Sequence, residues 1–291
     1  MLAVPLSLVV ATVSLSIHFV PNDTTADGTL VGVGEVESAA GADGADGVEA
    51  AEEGVQAAEE EGAAPDRTGA LLVMLDPGHG GSNTGAPGVI EGVYEKRLTL
   101  ALAGEIARRL AGQKGIAVVL TRETDEYVTL RERVRLANRA RADVFVSLHA
   151  NASPTHTQQG YETFILTPEA LEVDARVLRG NDGPVRPGVE QGTAFLLDDI
   201  ERGIAHLWSL KLAQKVQARL AVAFGPEGNR GIKQASLDVL LGLTMPGVLV
   251  EVGFIDHRTE GIQLLRREVR AAIAGALAEA ILDFARSLRW S

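Results

Sequence analysis

Apolar and polar positions alternate along residues 70–291 in two periods, one typical of strands and the other of helices. Short apolar runs predict buried strands, and apolar residues three or four positions apart predict one-sided helices. The predicted strands are Ala70–Asp76, Ile116–Thr121, Asp143–His149, Tyr161–Leu166, Leu237–Leu241 and Val248–Val252. The predicted helices are Glu95–Ala111, Thr129–Arg141, one from Asp198 to about Phe224, and Ile262–Leu288 with a break near Arg266.

Strands alternate with helices through most of this region, which predicts an α/β fold. We expect a three-layer sandwich, in which helices flank a twisted, mixed but mostly parallel sheet of about six strands. Thr129 and Glu132 form a capping box at a helix start, and Asp198 and Glu201 have similar spacing. The folded domain is predicted to span residues 68–291.

The N-terminal segments have a different composition. Residues 1–20 contain no charged side chain, which predicts an apolar export signal or a membrane anchor. Residues 21–66 carry thirteen Asp or Glu and no Lys or Arg. Such a segment cannot bury enough apolar surface to offset its ordering entropy, so residues 21–67 are predicted to be an acidic, disordered tether.

Charge and cysteine content narrow the chemistry. The chain has a formal net charge of −12. Removing the thirteen tether acids leaves 26 acidic and 27 basic side chains, so the folded part is nearly neutral and no nucleic-acid partner is expected. The sequence has no cysteine. Any metal must therefore be held by histidines and carboxylates.

Polar residues follow three of the predicted strands. His79 comes after the first strand, His149 ends the third, and Glu251 lies in the last. Because ligands bind beyond the carboxyl ends of parallel strands, these side chains are expected to converge, and Glu95 at a helix start could join them. Two imidazoles and one carboxylate are a common catalytic zinc set. Spacing leaves open which glutamate is the ligand and which the base, and a histidine such as His79 is also common as a polar loop residue.

Several short blocks of sequence carry a further signal. They are Leu75–Gly81, Gly92–Lys96, Leu120–Arg122, Leu130 with Arg133, Ala137–Asn138, Ser147–Asn151, Arg230–Lys233 and Met245–Phe254. These blocks resemble the zinc-dependent N-acetylmuramoyl-L-alanine amidases of bacterial cell walls. They occur in the family's order from Leu71 to the C-terminal region and together are highly specific. The family commonly has a small residue and Asn after Ile255, where this chain has Asp256 and His257.

The resemblance implies that His79, Glu95 and His149 hold Zn²⁺ and that Glu251 is the general base and acid. The implied reaction is hydrolysis of the amide between the lactyl group of N-acetylmuramic acid and L-alanine of the stem peptide. The implied location is the bacterial envelope, periplasmic or extracellular. The alternatives are a zinc amidase or peptidase with another envelope substrate, and a non-catalytic wall-binding module.

Further side chains are candidates for substrate binding or for support of the ligands. Asp76 could orient His79 or cap the following turn, and Asn151 is expected to brace the loop after His149. Arg122 and Arg133 could meet peptide carboxylates, although an arginine-rich helix face is more often a solvated surface.

Two segments raise further expectations. Gly80 is expected to keep the metal site open to substrate, so that a bulky residue there would damage activity before stability. Some division-associated relatives cover the zinc with a regulatory helix in the region of Pro168–His206, so Asp198, Asp199 or Glu201 could plug the site until an activator protein removes it. The alternative is that Asp198 caps a helix.

Overall fold

The computed structural model describes residues 69–171 and 187–288. The predicted signal or anchor, the predicted tether and part of the Pro168–His206 segment lie outside these residues. None of the helices within the described ranges is both long enough and apolar enough to cross a membrane.

Six strands and five helices make up the main elements of the described chain. The strands are β1 Leu71–Pro77, β2 Ile116–Leu120, β3 Val144–Asn151, β4 Tyr161–Leu166, β5 Asn229–Ala235 and β6 Gly247–Phe254. The helices are α1 Glu95–Leu110, α2 Leu130–Arg139, α3 Gln191–Phe224, α4 Glu260–Leu264 and α5 Arg267–Leu288. The break predicted near Arg266 is confirmed, because Leu265 and Arg266 separate α4 from α5.

The strands form one sheet in the order β2-β1-β3-β6-β4-β5. All neighbours are parallel except β4 and β6, which are antiparallel. The predicted mixed, mostly parallel sheet is therefore confirmed. This reversal matters for the site. Because β4 runs opposite to β6, the amino ends of β4 and β5 lie at the same end of the sheet as the carboxyl ends of β1, β3 and β6.

The two faces of the sheet are covered differently. On one face, alternate strand residues such as Val146 and Val250 pack with α1, α3 and α5 in the larger core. On the other face, Phe145 and Leu249 pack with α2 and with the loop that contains Val239 and Leu240. We call this second side the α2 face. Because side chains alternate along a strand, His149 and Glu251 lie on the α2 face, toward the carboxyl ends of β3 and β6.

The strand predicted at Leu237–Leu241 is wrong, since this segment forms turns. Val239 and Leu240 are buried in the core of the α2 face, so the apolar run covers the sheet without joining it. The strand that precedes it, β5, has no apolar run to reveal it. It contains Arg230, Lys233 and Gln234 and lies at the edge of the sheet, where polar residues are tolerated.

The start predicted for α3 is also wrong. The helix begins at Gln191, and the Glu190 carboxylate accepts the backbone N–H groups of Gly192 and Thr193. Asp198 lies inside the helix and pairs with Arg202 at 2.6 Å, so it does not act as the cap. A glutamate at the cap position, followed by glycine and threonine, gave no recognisable capping signal.

The direction of α3 places its first half far from the predicted ligands. The Ser209 hydroxyl accepts the N–H of Gly247 at the amino end of β6, and Tyr161 at the other end donates its hydroxyl to the Gly225 carbonyl. Since α3 is continuous, the residues before Ser209 extend beyond the amino end of β6. Asp198, Asp199 and Glu201 therefore lie toward the sheet end opposite to His149 and Glu251.

Candidate metal centre

Three predicted ligands meet at the carboxyl ends of the central strands. His79 follows β1, Glu95 is the first residue of α1, and His149 is near the end of β3. One carboxylate oxygen of Glu95 lies 2.9 Å from His79 Nε2, and the other lies 2.9 Å from His149 Nδ1. One ligand atom from each residue lies within 4.8 Å of the others. This cluster could hold a metal ion.

The Glu95 carboxylate is fixed by backbone donors. The N–H groups of Ala86 and Ala150 donate to its two oxygens at 3.0 Å each, and the residue is buried. Burial raises the pKa of Glu95, but hydrogen bonds and charge from His149 and His79 outweigh it and hold the pKa well below its usual range. The site therefore keeps an ionised carboxylate between two imidazoles, as a cation site requires.

Asn83, which sequence reasoning missed, fixes the tautomer of His79. Its side-chain oxygen lies 2.8 Å from His79 Nδ1 and also accepts the backbone N–H of Gly85 at 3.2 Å. An oxygen that accepts a backbone N–H leaves His79 Nδ1 as the donor, so the Nε2 lone pair is free to face a metal. Its position in the glycine-rich loop after His79 is the signal that could have pointed to Asn83.

Two glycines lie directly against the side chains of the candidate ligands. A Cβ on Gly85 would lie 2.6 Å from a Glu95 oxygen and 2.6 Å from a ring carbon of His79. A Cβ on Gly78 would lie 2.4 Å from ring atoms of His149. Two imidazoles and one carboxylate, held in a cradle that any side chain would fill, fit the donor set of a catalytic zinc ion.

Asp76 is buried and supports the site through its neighbours, without contacting His79. Its carboxylate accepts the hydroxyls of Thr121 at 2.5 Å and Ser147 at 2.7 Å, and it pairs with Arg133 at 2.6 Å. All four residues are buried. Asp76 therefore ties β1 to its two neighbouring strands and acts on His79 through Arg133.

Arg133 and Arg122 hold the turn that carries His79. Arg133 donates to the carbonyls of Pro77 and His79 at 2.8 and 2.6 Å. Arg122 donates to the carbonyls of Pro77 and Gly78, at 2.9 Å each. Both side chains are 2% exposed, so the expectation of a solvated arginine face is wrong for them, and their donors are directed at the backbone beneath the site.

The expectation for Gly80 is contradicted by its surroundings. The residue has φ +128°, and a Cβ there would lie 2.1 Å from the Glu126 carbonyl oxygen and 2.9 Å from Arg122 Nε. The absent side chain makes room for protein backbone and not for substrate. A bulky residue at Gly80 is therefore expected to disturb folding as well as activity.

Glu251 lies beside the cluster on the neighbouring strand, paired in register with His149. Its Oε2 atom is buried and has no hydrogen-bond partner among the described residues. Burial, together with the negative charges of Glu95 and Glu162, raises the pKa of Glu251 well above its usual range. A buried carboxyl oxygen without a partner, next to a metal cradle, is available for proton transfer.

Asn151 and Glu162 continue the polar row away from the candidate metal ligands. Asn151 donates to Glu162 at 2.8 Å and accepts the N–H of Ala152, so it braces the loop after His149 as expected. Glu162 is paired in register with Glu251 across the antiparallel β4–β6 ladder. Sequence reasoning missed Glu162, because only the reversal of β4 brings this residue next to Glu251.

The remaining described histidines lie outside the cluster. His156 contacts Asp256 at 2.7 Å, and His257 Nδ1 accepts the backbone N–H of Glu260. His206 is part of α3. Among the described residues, one group of three or more His, Asp or Glu side chains is close enough to share a metal ion. It consists of His79, Glu95 and His149.

Two imidazoles near strand ends and a carboxylate at a helix start, beside a mixed sheet, define an α/β protein with a candidate metal centre. The family model described as N-acetylmuramoyl-L-alanine amidase matches residues 73–283. The chain therefore belongs to this family.

Individual relatives support the same relationship. LytC, an N-acetylmuramoyl-L-alanine amidase of Bacillus subtilis, is 29% identical over 74% of this chain and 35% of its own length. The endolysin of Bacillus phage SPP1 is 32% identical over 73% of this chain and 65% of its own. The chain thus spans only part of these relatives. The crystal structure of an N-acetylmuramoyl-L-alanine amidase from Clostridium difficile 630 superposes with a TM-score of 0.58 at 29% identity, covering 76% of this chain and 99% of that one.

Replacing Gly85 by alanine is expected to disrupt metal binding. Gly92→Ala is the matched control, because both glycines have left-handed φ, +67° and +76°, but a Cβ on Gly92 meets nothing within 4 Å. Each change costs about 1–2 kcal/mol of backbone strain. Only Gly85→Ala should also lower the zinc content and zinc affinity of the purified protein. Equal zinc affinity in both variants would contradict the inference that the ligands need the space left by Gly85.

Arg133→Met is expected to lower the free energy of unfolding by about 3–5 kcal/mol, because it leaves the buried Asp76 carboxylate without its cation. Arg131→Met, on the exposed side of the same helix, should stay within about 0.5 kcal/mol of wild type. Denaturant unfolding of both variants measures the difference. Similar stabilities would show that the buried ion pair does not hold the β1 turn.

Proposed function

We propose that this protein is a zinc-dependent N-acetylmuramoyl-L-alanine amidase. Its reaction is hydrolysis of the amide between the lactyl group of N-acetylmuramic acid and L-alanine of the peptidoglycan stem peptide. The observation that carries the proposal is the placement of the unpartnered Glu251 oxygen beside the His79, Glu95 and His149 cluster. Membership of the family and the names of relatives such as LytC support the same reaction.

His79, Glu95 and His149 would hold the zinc ion through His79 Nε2, a Glu95 oxygen and His149 Nδ1. The chemistry that zinc supplies to such a site is polarisation of a carbonyl and a lowered pKa for water. The protein's part is to keep these donors fixed. Asn83 sets the tautomer of His79, two backbone N–H groups hold Glu95, Gly78 leaves room for the His149 ring, and Gly85 leaves room for Glu95 and His79.

Glu251 is assigned the proton transfers. Its ionised carboxylate would take a proton from the attacking water, and the protonated carboxyl would deliver it to the leaving nitrogen of alanine. Burial and the neighbouring carboxylates raise the pKa of Glu251, which makes its ionised carboxylate a stronger proton acceptor. The amide C–N bond breaks, the acid remains on the lactyl group, and the free amine leaves with the peptide.

The proposed setting is the bacterial cell envelope, periplasmic or extracellular, where such a reaction would serve wall remodelling or daughter-cell separation. Residues 1–20 would direct export or anchor the chain to the inner membrane. An activator protein that acts on Pro168–His206 stays a prediction. The described part of that segment lies toward the sheet end opposite to the candidate site, so activation there would have to act from a distance.

Glu251→Gln is expected to retain zinc and lose activity. The amide keeps the size of the side chain but cannot accept a proton, so release of stem peptides from purified sacculi should fall at least about a hundredfold. Glu268→Gln, an exposed change on α5, is the control and should behave as wild type. Zinc content and peptide release are measured on all three proteins.

The outcomes separate the alternatives. Zinc in every protein with no release by wild type would overturn the amidase proposal and favour a wall-binding module. Cleavage of other envelope amides, but not of the muramoyl–alanine bond, would assign the site to a different amidase or peptidase. Equal activity of Glu251→Gln and wild type would remove Glu251 from the proton transfers.

A further inference from the structure

We propose that Lys233 forms a carboxylate-binding subsite beside the catalytic centre, where it binds the free α-carboxylate of the second residue of the stem peptide. The inference rests on the proposed amidase function and adds a determinant of substrate choice. It assigns a ligand class to a cationic side chain that the metal site and the proton transfers do not use.

Strand register places Lys233 next to the catalytic row. His149, Glu251 and Glu162 lie side by side on β3, β6 and β4. Lys233 on β5 is paired with Phe164, two residues after Glu162 on β4. Phe164 packs on the α2 face, so Lys233 shares that face with Glu251. The ammonium confirms this position, because it lies 2.7 Å from the Glu162 carboxylate.

Glu162 is paired with two cationic side chains. One oxygen of this carboxylate receives both Lys233 Nζ at 2.7 Å and Arg230 Nε at 2.9 Å, and the other receives Asn151. Glu162 is 2% exposed. Lys233 and Arg230 therefore share a single oxygen of one buried carboxylate.

The two cations differ in what they can still bind. Arg230 also donates to Gln158 and to the Gln159 carbonyl, and its guanidinium lies 4.9 Å from the centre of the Phe254 ring. The Lys233 side chain is 40% exposed, and Glu162 is its one recorded partner within the described ranges. An ammonium has three N–H donors, so two remain for a ligand. Glu162 fixes the ammonium in place, which lowers the entropic cost of binding.

The dimensions of the stem peptide fit this arrangement. If the second residue of the stem peptide is an acidic residue joined through its side-chain carboxyl, its α-carboxyl group lies outside the peptide chain and is free or amidated. Five bonds separate the scissile nitrogen from that carboxyl carbon, a span of about 6 Å. Glu162 lies one strand from Glu251, about 4.8 Å in the sheet. A peptide with its scissile nitrogen at Glu251 can therefore place this carboxylate against the ammonium held by Glu162.

The experiment compares two muramoyl tetrapeptides that differ only in a carboxylate or a carboxamide on the second residue. Wild type should hydrolyse the acid with about tenfold higher kcat/KM, chiefly through a lower KM. Lys233→Met should reduce that preference to about one, and Lys233→Arg should retain part of it. Arg230 still pairs with Glu162 in both variants. Lys114→Met, an exposed change in the turn before β2, is the control and should keep the full preference.

Each result decides the question. Hydrolysis of both substrates by wild type at equal kcat/KM would overturn the subsite and leave the amidase function intact. An equal loss on both substrates in a folded Lys233→Met protein would also overturn it and assign Lys233 a structural role. If Lys233→Met does not fold, the wild-type preference and Lys233→Arg still test the subsite. No hydrolysis of either substrate or of sacculi would instead count against the proposed function.

Discussion

The buried ion pair between Asp76 and Arg133 is the interaction on which the site depends. Asp76 accepts hydrogen bonds from hydroxyls of Thr121 and Ser147 and so fixes β1 against its neighbours. Arg133, held by Asp76, donates to the carbonyls of Pro77 and His79 and fixes the turn that carries His79. His79 has φ 61°, a left-handed conformation that is unfavourable for a residue with a side chain. The hydrogen bonds to its turn offset that strain, so a polar cluster in the interior sets the direction of a candidate metal ligand.

The antiparallel placement of β4 next to β6 gives the site its second half. In an all-parallel sheet, only the carboxyl ends of strands would lie at the end of the sheet that carries the candidate site. The reversal brings the amino ends of β4 and β5 beside Glu251, and with them Glu162, Arg230 and Lys233. The candidate metal ligands therefore lie on one side of Glu251 and an ion-paired cationic group on the other. Under the proposed function, a substrate that spans both sides would contact the metal ion on one side and the Lys233 ammonium on the other.

Sequence reasoning predicted best where a residue's role follows from its own strand or helix. The apolar runs and their helical neighbours predicted the sandwich, and the ordered blocks identified the family, because both signals are local and strong. It failed where burial depends on distant segments. Leu237–Leu241 has a strand-like composition but fills space beneath the sheet, while polar β5 pairs at an edge. Arg122 and Arg133 resemble surface residues until the carbonyls of the β1 turn are placed against them.

The sequence by itself determined the fold class, the family, and His79, Glu95, His149 and Glu251 as candidates, since each follows directly from an apolar strand or begins a helix. Only the tertiary structure decided how they are held. Asn83 sets the His79 tautomer, glycines open the cradle, and strand reversal brings Glu162 and Lys233 near Glu251. These are contacts between segments far apart in the chain or across a folded loop, and their geometry depends on strand order and register, which no local pattern encodes.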